Sequence, residues 1–254
     1  MTVLLVIVGV SACGGKSSSG VVAEVGSDQI TKASVNHWMA TLAGGDYYQL
    51  SHKHTVPAGL VSEPPNYPRC VSQLEVAAAN APIKRAPQTG VQLLQKCRQL
   101  YQALRTQAVA FLVNSQWLVN LAREEGVTAS DAEVRKLYSE IKAREFPKQA
   151  ELERFMAARR LSVADELSIV RLDVLAQKIE KKLTSGGKRA LAKFTQAGKR
   201  WTAKASCKPG YVVEHCKQYV PHPTPLTQSA SVLMEQVAAT ATGVCVNVEA
   251  CGKQ

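Results

Sequence analysis

The sequence predicts a mainly α fold with a short N-terminal β-hairpin and a small disulfide-closed C-terminal segment. Three observations carry that expectation. Aromatic residues make up only 6% of the 254-residue chain, so its interior rests on Leu, Val, Ile and Ala, which suits helix packing better than a sandwich of aromatic and β-branched strands. From Val91 onward, apolar residues recur at spacings of three and four, the period of a helix face. Helix-start signals punctuate those runs.

Taken in order, "VVAEVGSDQITKASVNHWMATLA" at 21–43 alternates around a Gly-Ser-Asp turn, then passes Thr31 into a run with Val35, Trp38, Met39 and Leu42 on one face. This reads as a hairpin followed by a helix. Residues 44–90 hold most of the prolines and are expected to be mainly loop, with one helical turn around 71–79. A loop of that length is usually functional or pinned. The long helix that follows carries Leu93, Cys97, Leu100, Leu104, Ala108, Phe111, Leu118 and Ala122 and stops at Gly126. Ser130 and Glu133 form a capping box for the next helix. Pro147 opens a third, with Leu152, Phe155 and Met156, and Ser162 with Asp165 begins a fourth through Val170, Val174, Leu175, Ile179 and Leu183. Gly186 and Gly187 interrupt it. A basic helix, "KRALAKFTQAGKRWTAK", then leads to Cys207. Beyond a segment closed at 207–219, the tail 220–254 starts as a Pro-rich spacer and ends in one short helix and a small cysteine-closed loop.

The net charge of +11 and the isoelectric point near 9.4 favour acidic partners: nucleic acid, anionic lipid or envelope polymers. Compartment decides among them. The apolar run "TVLLVIVGV" at 2–10 is too short to span a bilayer, and "VSAC" at 10–13 follows it. That tetrapeptide resembles the lipobox of bacterial lipoproteins, although no Lys or Arg precedes the run. The resemblance implies a signal peptide at 1–12, a lipidated Cys13, a flexible Gly/Ser tether at 13–20, and a home on the extracytoplasmic face of the cell membrane. Nucleic acid is then not an expected partner. Six cysteines remain: Cys70, Cys97, Cys207, Cys216, Cys245 and Cys251. An even set in an oxidising compartment argues for disulfides. Sequence neighbourhood suggests Cys70 with Cys97, Cys207 with Cys216 and Cys245 with Cys251, among many connectivities. Zinc is the rival reading, but it wants C-x-x-C knuckles or His at ligand spacing, and only His215 adjoins a cysteine.

The order of a lipobox, "VVAEVGSDQITKASVNHWM" and capped helices ending in "RLDVLAQKIEKKL" resembles the N-terminal chaperone domain of SurA/PrsA-type extracytoplasmic foldases. It is closest to parvulin-type prolyl isomerase lipoproteins that also carry "PPNYPRC", "QKCRQLYQALRTQAVAFL" and "KRWTAKASCKPGYVVEHC". The resemblance covers 13–219 and implies a SurA N-terminal-like helical domain at 21–206. One departure stands out. The parvulin domain that such relatives place before the closing basic helix is missing, because "EKKLTSGGKRALAKF" joins the flanking helices directly and leaves no room for it.

Catalytic candidates are correspondingly weak. "GGD" at 44–46 continues as "YYQL", unlike the parvulin element. His37 beside Trp38 suits packing better than acid–base work, and His52 with His54 lacks neighbouring ligands. No catalytic residue, metal or cofactor is expected. The leading expectation is a non-enzymatic, lipid-anchored chaperone for unfolded exported polypeptides, with Trp38, Met39, Phe111, Trp117, Tyr138, Phe155 and Met156 as candidate client contacts. The alternatives are a prolyl cis-trans isomerase, as the relatives are, and an envelope-binding scaffold. The scaffold would use Lys188, Arg189, Lys193, Lys199, Arg200 and Lys204, a segment without Asp or Glu, against an anionic surface.

Overall fold

In a computed structural model, the structure describes residues 20–51, 61–79 and 88–221. Among them the chain forms β1 (Val21–Val25), β2 (Asp28–Thr31), α1 (Lys32–Ser51), α2 (Pro68–Ala79), α3 (Gly90–Glu124), α4 (Asp131–Glu145), α5 (Gln149–Arg159), α6 (Val163–Ser185), α7 (Gly187–Lys204) and β3 (Ala205–Cys207). The expected hairpin is present, with Val25 opposite Asp28 and Ala23 opposite Ile30. Its turn needs Gly26, which has φ +64°, and a Cβ there would also stand 3.0 Å from the Trp201 ring. The hairpin is not alone. β3 pairs antiparallel with β1, Ala23 opposite Cys207 and Val25 opposite Ala205, giving the sheet order β2-β1-β3.

The 35-residue helix α3 is the spine, about 52 Å long at 1.5 Å per residue. Its N-terminal half, from Leu93 to Val113, packs with the sheet, α1, α2, Trp201 and the closing segment in the main core. Its C-terminal end gives Leu121 and Ala122 to a second core with Leu175, Ile179 and Ala197. A third joins Val134 of α4 to Val170 and Val174 of α6. The predicted capping box forms, the Ser130 side chain accepting from the Glu133 amide, and the expected helix start at Ser162 is also a capping box, its side chain accepting from the Asp165 amide. A third, unexpected box joins Thr89 and Gln92 at the start of α3.

The expectation of loop across 44–90 is corrected at both ends. Helix α1 runs through Gly44 and Gly45 to Ser51, and α2 is a full 12-residue helix beginning at Pro68, where a missing N–H costs nothing. Gly44 is a packing notch. A Cβ on it would lie 2.2 Å from the Ala158 carbonyl oxygen, so only glycine lets α5 cross α1 this closely. That is the structural role of the "GGD" stretch. Helix α5 starts at Gln149, two residues after the expected Pro147. Two disulfides close as expected: Cys70–Cys97 ties α2 to α3, and Cys207–Cys216 closes the segment after α7. Cys13, Cys245, Cys251, His52 and His54 lie outside the described residues.

Candidate functional site

The basic helix α7 is strongly amphipathic. Phe194, Ala197, Gly198 and Trp201 follow one face, and cations occupy the rest. Trp201 is buried, and its indole Nε1 donates to Glu124 Oε2 at 3.2 Å. That anchor fixes the helix against α3. Glu124 also takes Arg200 at 3.1 Å and Lys204 at 4.0 Å, and the Lys204 ammonium lies over the Trp201 ring. The segment itself has no Asp or Glu, but Arg200 and Lys204 find a carboxylate on another helix. Lys188, Arg189, Lys193 and Lys199 are exposed and enter no ion pair among the described residues.

Where α7 leaves α3, an open groove of ≈ 880 Å³ is lined by Asn114, Trp117 and Leu118 of α3, by Thr195, Gly198, Lys199, Thr202 and Ala203 of α7, and by His215 and Lys217 of the closing segment. Trp117 is its aromatic wall. The ring meets Phe194 edge-on at 5.5 Å and stacks on His215 at 6.5 Å with 13° between planes. His215, which the sequence reads as a bystander to Cys216, is thus part of the groove, held there by the disulfide beside it. A Cβ on Gly198 would lie at ordinary contact distance, 3.7 Å, from Trp117, so a larger side chain there would extend into the groove.

The remaining candidate contacts are dispersed. Met39 is wholly buried in the main core, so no client reaches it. Its place at the centre of the apolar stripe of α1 is what buries it. Trp38 is half-buried against Phe111, with ring centroids 4.4 Å apart. Tyr138 packs in the layer between α4 and α6. Phe155 pairs with Phe146 at 4.8 Å and lies under the Arg159 guanidinium, while Met156 is half-buried on the same helix. Only Trp117 joins the basic helix in one site. Phe194 was the residue most readable and yet missed: its i, i+4 and i+7 partners on α7 are the signal.

No described group of three or more His, Cys, Asp or Glu side chains could hold a metal ion, and the disulfide removes Cys207 and Cys216 as zinc ligands. His37 Nε2 lies 3.1 Å from Asp165 Oδ1, linking α1 to the start of α6. Burial pushes the Asp165 carboxyl up, but the Ser162 hydrogen bonds and His37 more than offset this and hold it below its ordinary value. That arrangement caps a helix. No described helix is long and apolar enough to cross a membrane. Compared with known protein families, characterised proteins and solved structures, the chain has no significant match.

Proposed function

We propose that the chain is a lipid-anchored extracytoplasmic holding chaperone of the SurA type that binds unfolded exported polypeptides without catalysis. The observation that carries this reading is the groove between α3, α7 and the closing segment: apolar at its floor, open along its length, and edged by Lys199 and Lys217. An exposed trough whose surface is mainly apolar, with Asn114, Thr195, Thr202 and His215 interspersed, favours weak, sequence-tolerant contacts with extended chains. The motif order in the sequence supports the family assignment, and the lipobox-like "VSAC" supports the anchor. Lys188, Arg189, Lys193 and Lys199, exposed and without an ion pair among the described residues, favour a second reading, contact with an anionic envelope surface.

Gly198→Leu tests the first reading without removing a core contact. The new side chain fills the groove, and leucine is the better helix former. The wild-type protein at an equimolar ratio is expected to suppress aggregation of a denatured exported protein, and Gly198→Leu to lose most of that effect with no fall in melting temperature. Absence of suppression by the wild type, or full suppression by the variant, defeats the groove as a client site.

A further inference from the structure

Beside the groove, a smaller slot of ≈ 230 Å³ opens between α3, α6 and α7. Its floor is Leu121, Ile179, Leu183 and Phe194, and its rim carries Lys182, Arg189, Lys193 and Glu125. Lys182 is already engaged, with Nζ 2.8 Å from Glu125 Oε2 and donating to the Glu125 carbonyl at 2.6 Å. The hydrogen bond from Lys182 holds the Glu125 carboxyl below its ordinary range, so it stays charged and keeps this lysine. Arg189 and Lys193 are the rim cations left over. Both are exposed. Phe194 forms part of the slot floor with its ring against Trp117, and Trp117 lines the groove, so slot and groove adjoin across one aromatic contact.

We propose that this slot reads charge in the bound chain: it takes an apolar side chain whose sequence neighbour is Asp or Glu, and Arg189 with Lys193 receive that carboxylate. The inference rests on the holding reading and adds a substrate class to it, acidic-apolar segments. Three cations against one carboxylate make the rim complementary to an anion. The volume lies below the roughly 300–1,000 Å³ of small-molecule pockets, which suits a side chain. An Arg fork binds a carboxylate bidentately, and the apolar floor beneath raises the strength of the pairing above that in open water. A planar anionic bilayer could meet the same cations, but the floor is recessed between three helices, where a side chain reaches and a flat surface does not.

The test uses the full-length protein and three fluorescent peptides of equal apolar content, with Glu, Gln or Lys beside each Leu, measured by anisotropy. The Glu peptide is expected to bind about ten-fold tighter than the Lys peptide at low ionic strength, with the gap narrowing as salt rises. Arg189→Glu combined with Lys193→Glu should erase the preference and keep binding of the Gln peptide. Equal affinity for all three peptides, or an unchanged preference in the double variant, overturns the slot and leaves the holding reading standing. Binding of none of them overturns both. If the double variant loses sedimentation with phosphatidylglycerol vesicles yet keeps the acidic preference, the cations serve the membrane and the proposal fails.

Discussion

Thr41 is wholly buried in α1, and its Oγ1 has no hydrogen-bond partner among the described residues. A hydroxyl taken out of water without a partner costs about 1–3 kcal/mol, and threonine otherwise resembles valine in shape and in helix propensity. Thr41→Val is therefore expected to raise stability by about 1 kcal/mol in urea denaturation. A loss of stability would show that the hydroxyl is satisfied after all. Position 41 also shows what residue-level reading of sequence can reach. Val35, Met39 and Leu42 mark the inward stripe of α1, and Thr41, a polar letter between them, gives no sign that it is buried. The same limit applied to Met39 in reverse: a flexible apolar side chain suits a client surface and a core equally, and only the packing of α1 on α3 distinguishes them.

At the scale of elements, α6 fastens the turn between α3 and α4 by a row of cations on one face. Arg171 donates to Asp131 Oδ1 and to the Ala129 carbonyl, Lys178 to the Thr128 carbonyl, and Lys182 to the Glu125 carbonyl. Lys178 also lies 2.6 Å from Glu133 Oε1, while the other Glu133 oxygen accepts from Ser130. The Lys178 hydrogen bond, followed by those from Ser130, lowers the Glu133 carboxyl from 4.5 to about 2. A carboxyl depressed by folding binds fewer protons in the native state, so its contribution is full above 4.5 and is lost as pH falls toward 2. Thermal melts at low ionic strength should show stability falling through that window, with a shallower slope for Glu133→Gln. Equal slopes would remove Glu133 from the acid response. The capping boxes at 130–133 and 162–165 were legible because they are local patterns. The cation row was not, because its partners lie 40 to 57 residues away. Helix α1 was cut short for the same reason: two glycines read as a turn until α5 is known to cross them.

For the whole molecule, the sequence makes the bundle and its two described disulfides legible, but it does not show that the closing segment returns to the first strand. β3 is three residues long and has no alternating pattern to announce it. Its docking follows from the Lys208 amide donating to the Val22 carbonyl at 2.8 Å and the Gly26 amide to the Lys204 carbonyl at 3.2 Å. The first strand and the closing segment thereby meet in one core with Cys207, Val213 and Cys216. This changes what the second disulfide does. By loop entropy, the bridge spanning 9 residues contributes about 2.6 kcal/mol, and the Cys70–Cys97 bridge spanning 27 contributes somewhat more, about 3.5 kcal/mol. On stability alone the two are alike. They differ in place, because His215 and Lys217, which flank Cys216, form one wall of the groove, whereas Cys70–Cys97 joins α2 to the opposite half of α3. Replacing both Cys207 and Cys216 by Ser should lower the melting temperature and also weaken client holding several-fold, measured well below the transition. Replacing both Cys70 and Cys97 by Ser should lower the melting temperature at least as much and leave holding intact. If both pairs of substitutions weaken holding equally, the closing segment is only a staple and the groove wall is not built by it.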